Sequence, residues 1–122
     1  MKTERILVVD DEPEVAEVLK LMLRRFGHRV RIVSNGREAL DAFSSEDYDL
    51  VSTDLCMPDL SGREVAKAVK GAKAEVPVLL ITGWALQLDP SDMDFDGMIA
   101  KPFSKETLSQ HVTGVLAGKE EV

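Results

Sequence analysis

The chain has little with which to brace itself covalently and nothing long enough to enter a bilayer. One cysteine, Cys56, stands among 122 residues, so no intramolecular disulfide forms, in keeping with a reducing compartment. The longest unbroken apolar stretches, residues 6–9 and 78–81, hold four residues each. A membrane helix needs roughly 20. Positive charge is in deficit: 15 basic residues face 22 acidic ones, giving a net charge of −7 and a pI near 4.8. Such a segment repels nucleic acid and anionic membranes, so any DNA-binding role requires a further domain. Residues 1–5 are charged and lead straight into an apolar run, unlike a secretory leader. Glycine-rich phosphate loops, HExxH motifs and Ser/His/Asp arrangements are missing, as are repeats, low-complexity runs and linkers. The expectation is one soluble cytoplasmic domain over residues 1–117 with a flexible tail at 118–122, a length that supports a single core.

What is present is a series of short apolar, mostly β-branched runs at 6–9, 50–53, 78–81 and 98–100, with residues 29–33 read as a further strand, the second in the chain. Segments of helical periodicity separate most of them, the pattern of a parallel α/β sheet. Pro13 suits a first helical turn, with Val15, Val18, Leu19, Met22 and Phe26 on one face and Gly27 as the stop. Asn35 and Gly36 mark a turn before a short helix carrying Ala39, Leu40 and Phe43. Val65, Ala68, Val69 and Ala72 stripe a third helix. Ser104 caps a last one that turns Leu108, Val112, Val115 and Leu116 inward. Residues 84–97 show no clean stripe, because Asp89, Pro90, Asp92, Asp94 and Asp96 interrupt it; a short or mobile fourth helix is expected there.

Asp10, Asp11, Asp54, Thr82 and Lys101 each sit where one of these runs stops. In a parallel sheet those ends share one edge, where open α/β sheets bind ligands. Two unit charges about 4 Å apart repel by roughly 4 kcal/mol at an effective dielectric near 20, so three gathered carboxylates call for a cation. Asp10 and Asp11 together suit a hard divalent ion such as Mg²⁺, which takes one or two carboxylates and keeps waters. Taken alone, they equally describe a turn acid and a helix N-cap. Asp54 can act as a nucleophile towards phosphorus, Thr82 can donate to a phosphoryl oxygen, and Lys101 can supply positive charge. Each singly is an ordinary residue; their meeting at four strand ends is not. His28 and His111 fall away from these ends, and no histidine is placed to activate Cys56 as a catalytic thiol.

The runs Val8-Val9-Asp10-Asp11-Glu12-Pro13, Asp54 with Met57-Pro58-Asp59-Leu60-Ser61-Gly62, Ile81-Thr82-Gly83 and Lys101-Pro102-Phe103 resemble the signature of receiver domains of bacterial two-component response regulators. The resemblance covers nearly the whole chain in order. It implies a flavodoxin-like (βα)5 fold, a five-stranded parallel sheet of order 2-1-3-4-5 with helices on both faces, and a cis Lys101-Pro102 bond. It also implies roles. Asp54 would be the phosphoacceptor, and Asp11, Asp54 and the Cys56 carbonyl would bind Mg²⁺, with Asp10 acting mostly through water. Thr82 and Lys101 would contact the phosphoryl oxygens. A sensor histidine kinase or histidine phosphotransfer protein would donate the phosphoryl group, and a downstream effector would read the switched conformation, with homodimerisation on phosphorylation a further expectation. The domain would then be a phosphoacceptor rather than an enzyme.

Two departures stand out. Met98 occupies the place, three before the lysine, where most receivers carry an aromatic switch residue. Trp84, two past the threonine, is bulky enough to shield a phosphoryl group, so a long-lived phospho-form is expected, shortened in Trp84→Ala. Rival classes read differently: a flavin carrier needs a hydroxyl-rich loop where Asp10-Asp11-Glu12 stands, and an aspartyl-phosphate phosphohydrolase normally has its nucleophile in an Asp-x-Asp motif at the first strand. A degenerate receiver that only binds partners would lack some of the five residues, all of which are here.

Overall fold

The computed structural model describes residues 3–83 and 95–120, with side chains to residue 117. Among the described residues the elements run β1 (Arg5–Val9), α1 (Pro13–Arg25), β2 (Arg29–Val33), α2 (Gly36–Ser45), β3 (Leu50–Thr53), α3 (Gly62–Ala72), β4 (Val78–Thr82), β5 (Gly97–Ala100) and α4 (Lys105–Glu120). All four strand pairings are parallel, and the order is β2-β1-β3-β4-β5. The expected flavodoxin-like sheet is therefore present. The fourth helix expected between β4 and β5, and Trp84, lie outside the described residues.

Period-two alternation divides the core between the two faces of the sheet. Leu7, Val9, Val51 and Val78 face α2 and α3, meeting Ala39, Ala42, Phe43, Val65, Ala66 and Val69. Ile6, Val8, Leu50, Leu79, Ile81 and Ile99 face α1 and α4, meeting Ala16, Leu19, Leu23, Leu108, Val112 and Leu116. Central strands buried on both faces favour near-continuous apolar runs, as in residues 6–9 of β1 and 78–81 of β4, while the middle strand β3 also buries Ser52 and Thr53.

Local signals stop and start the helices. Pro13 opens α1, and Gly27, at φ +93°, closes it by donating to the Arg24 carbonyl while His28 donates to that of Leu23. That pair of bonds needs a left-handed residue, which glycine supplies at low cost. Asn35 caps α2, Ser61 and Glu64 form a reciprocal capping box on α3, and Ser104 accepts from the Thr107 N–H at the start of α4. Two expected stripes need correction. Val18 is 44% exposed, because α1 buries Ala16, Leu19 and Leu23 and leaves Val18 at the edge of that stripe. On α3, Ala66 is buried and Ala72 exposed, since the helix turns its Val65–Ala66–Val69 side to the sheet.

Candidate functional site

The ladder continues one residue past three strand ends and fixes the site backbone. Asp10 N–H donates to the Val33 carbonyl (3.1 Å), Asp54 N–H to that of Val9 (3.1 Å), and Lys101 N–H to that of Thr82 (3.0 Å). Asp10, Asp54, Thr82 and Lys101 are thereby held along one edge, at the carboxyl ends of β1, β3, β4 and β5. The Lys101-Pro102 peptide bond is cis, as expected.

Side chains converge from there. Lys101 Nζ lies 3.0 Å from Asp54 Oδ2, 3.2 Å from Asp10 Oδ2 and 3.1 Å from Glu12 Oε1. The other oxygens are also engaged: Asp54 Oδ1 accepts from the Leu55 N–H (2.7 Å) and Asp10 Oδ1 from the Glu12 N–H (2.9 Å). Asp10, Asp54 and Thr82 are buried, whereas Asp11 and Glu12 are exposed at the rim. One carboxylate oxygen from each of Asp10, Asp11, Glu12 and Asp54 lies within 4.8 Å of the others. Such a set of hard oxygen donors, partly open to solvent, fits a divalent cation that retains waters. Cys56 lies exposed in the loop after β3. Where that loop enters α3, Gly62 approaches so closely that a Cβ there would stand 2.2 Å from the Asp54 carbonyl oxygen. Only glycine fits.

Charge balance in the crevice is uneven. Burial pushes the Asp10 carboxyl above its usual range, and the Glu12 N–H and the Lys101 ammonium only partly offset it. Lys101 also suffers from burial, but hydrogen bonds to Asp54 and Glu12 and the charges of Asp10 and Asp54 outweigh it and push its pKa up. A salt bridge ordinarily depresses its acid; at Asp10 the desolvation of a buried carboxyl outweighs the lysine, and the neighbouring Asp54 charge adds to the rise.

Two participants were not expected from the sequence. Glu12 completes the lysine's cage, a role signalled only by its adjacency to Asp10 and Asp11. Asp59, in the loop after β3, accepts from the Gly36 N–H (3.0 Å) and the Arg37 N–H (2.9 Å) at the start of α2. No local pattern announces a cap that crosses between loops. His28 and His111 sit away from the site, His28 accepting from the Glu4 N–H and His111 bonded to the Thr107 carbonyl.

An open parallel sheet with an acid-lined crevice at its carboxyl edge belongs to the flavodoxin-like class, whose members bind ligands at that edge. Residues 6–113 match the model of the response regulator receiver domain, and the chain belongs to that family, the receivers of two-component signalling. Among solved structures it is similar to the response regulator TrrA of Thermotoga maritima, determined in complex with Mg²⁺ and BeF. Identity is 38%, coverage 93% of this chain and 99% of that one, and the TM-score 0.86. It is also similar to the receiver domain of the sensor histidine kinase PA1611 of Pseudomonas aeruginosa, which carries a magnesium ion in its active-site cleft (27%, 95% and 99%, TM-score 0.84). The alkaline phosphatase synthesis regulator PhoP of Bacillus subtilis is 33% identical over 96% of this chain. The chain spans about half the length of the curated relatives it matches, 50% in the case of PhoP.

Proposed function

We propose that Asp54 accepts a phosphoryl group from a phosphohistidine and that the resulting aspartyl phosphate switches the domain's conformation. The observation that carries this reading is the Lys101 ammonium 3.0 Å from Asp54 Oδ2, within a cluster of carboxylates at one sheet edge. As the carboxylate oxygen attacks, the P–O bond forms and the P–N bond breaks, and the imidazole of the donor leaves with the electron pair. Asp54 is held for that attack by the Leu55 N–H on its other oxygen. Lys101 neutralises charge on the transferring group, and the Thr82 hydroxyl, at the end of β4, donates to a phosphoryl oxygen. Asp11, Asp54 and the Cys56 carbonyl would hold Mg²⁺, with Asp10 through water; the ion supplies charge neutralisation of the phosphoryl oxygens. The magnesium found in the TrrA and PA1611 structures supports this assignment. Hydrolysis by water then restores the carboxylate and releases phosphate.

The donor in this reading is a sensor histidine kinase or a histidine phosphotransfer protein in the cytoplasm. The reader is an effector that senses a population shift spreading from Thr82 to β5, where Met98 repacks in place of an aromatic, and to the helix that follows. Incubation with acetyl phosphate, with and without Mg²⁺, tests the proposal by intact mass. Wild type should gain one phosphoryl group only with Mg²⁺, and Asp54→Asn none. A wild type left unmodified, or a variant modified equally, overturns it. Sizing the same samples reports whether phosphorylation pairs two copies.

A further inference from the structure

We propose that Asp59 is a positioning residue for metal binding: it clamps the β3–α3 loop onto the start of α2 and so holds the Cys56 carbonyl where Mg²⁺ takes it. The inference rests on the function proposed above and assigns it a residue outside the acidic crevice.

Both oxygens of Asp59 are committed to α2. Oδ1 accepts from the Gly36 N–H at 3.0 Å and Oδ2 from the Arg37 N–H at 2.9 Å. The helix already has its own cap, Asn35, whose side chain accepts from the Glu38 N–H at 2.9 Å. Asp59 thus takes the two remaining first-turn donors, and its negative charge sits at the positive end of the helix. Next to it, Leu60 packs where a side chain at position 36 would be; a Cβ on Gly36 would stand 2.5 Å from Leu60 Cβ. A bare glycine and a two-pronged carboxylate make one docking point.

The rest of the loop leaves Cys56 little freedom. Gly62 N–H donates to the Leu55 carbonyl at 2.8 Å, Met57 packs against the core beneath α2 and α3, and Pro58 has a fixed φ. Cys56 lies between the pinned Leu55 and Met57, three peptide bonds from Asp59. Helix α2 is in turn seated on the sheet by Ala39, Ala42 and Phe43. Rigid support therefore runs from the sheet core through α2 and Asp59 to the loop. Outer partners that orient a metal ligand typically contribute 10- to 100-fold in affinity, and a backbone carbonyl on a loop depends on such support.

Mg²⁺ titration of metal-free protein by calorimetry, beside thermal melts, tests this. Asp59→Ala should weaken Mg²⁺ binding by about tenfold. Asp59→Asn removes the same charge yet keeps one acceptor, so its affinity should fall between those of Asp59→Ala and wild type, which separates tethering from long-range charge. Asn35→Ala weakens the same helix start without touching the loop; it should lower Tm and leave Mg²⁺ affinity within about twofold of wild type. Coupling is reciprocal, so saturating Mg²⁺ should slow hydrogen exchange of the Gly36 and Arg37 amides in wild type. Equal Mg²⁺ affinity in wild type and Asp59→Ala, or equal weakening in Asn35→Ala, overturns this inference alone. A wild type that binds no Mg²⁺ overturns it together with the function it rests on.

Discussion

Asp10 is a residue whose environment works against its own charge. It is 2% exposed, shares one lysine with Asp54 and Glu12, and has its carboxyl pushed upward by burial. A folded-state pKa above the unfolded 3.8 means that the native protein holds the proton more tightly, so its ionised form at neutral pH costs stability. Asp10→Asn keeps the Oδ1 acceptor for the Glu12 N–H and removes that cost. In metal-free buffer at neutral pH the variant should melt above wild type. The gap should shrink as pH falls towards 3.8, because wild-type Asp10 then becomes neutral too. A variant that melts below wild type at neutral pH would show that the Lys101 pairing outweighs desolvation. Nothing in the local sequence distinguishes Asp10 from Asp11 in this respect. Burial is a property of the sheet edge, and Asp10 N–H completes a rung with Val33 while Asp11 swings to the rim.

At the scale of elements, the junction of β1 and β2 carries a titratable brace. His28 Nδ1 accepts the Glu4 N–H at 3.2 Å, and the Arg29 N–H returns to the Glu4 carbonyl at 2.9 Å. Only neutral imidazole can accept, and burial lowers the His28 pKa despite the Asp49 charge that pulls it up. The unfolded chain therefore binds its proton first, near pH 6.5, and the folded state below that. Stability is full above this window and is lost as pH falls through it. Urea midpoints should drop between pH 7.5 and 5.5 in wild type, and by less in His28→Gln; parallel drops would assign the effect elsewhere. The elements themselves were legible where periodicity is strong: β1, β3 and β4 as apolar runs, α1 from Pro13 to Gly27, and the inward face of α4. Val18 was misread because helical spacing fixes a stripe but not how wide a stripe the neighbours cover. Asp59 was missed because its partners, Gly36 and Arg37, lie more than 20 residues away, and such a bond has no periodicity.

For the whole molecule, the strand ends Asp10, Asp54, Thr82 and Lys101 were readable as one edge because parallel strands all point one way. The order of strands came from resemblance, since residue patterns do not state which strand neighbours which. That order places β1 beside β3, and so Asp10 beside Asp54, in a chain already at net charge −7. A cation that binds this crevice only in the folded state stabilises the fold by RT ln(1 + [Mg²⁺]/Kd), about 1.4 kcal/mol at ten times Kd. For a domain of this size that is a rise of roughly 5 °C in Tm. The rise should grow logarithmically with Mg²⁺ well above Kd and collapse in the double variant Asp11→Asn/Asp54→Asn. Potassium at matched ionic strength, which screens surface charge without entering a carboxylate cluster, should reproduce little of it. If potassium matches magnesium, the stabilisation is a general relief of negative charge and the crevice is no specific site; if only magnesium acts and the double variant abolishes it, these carboxylates are its ligands.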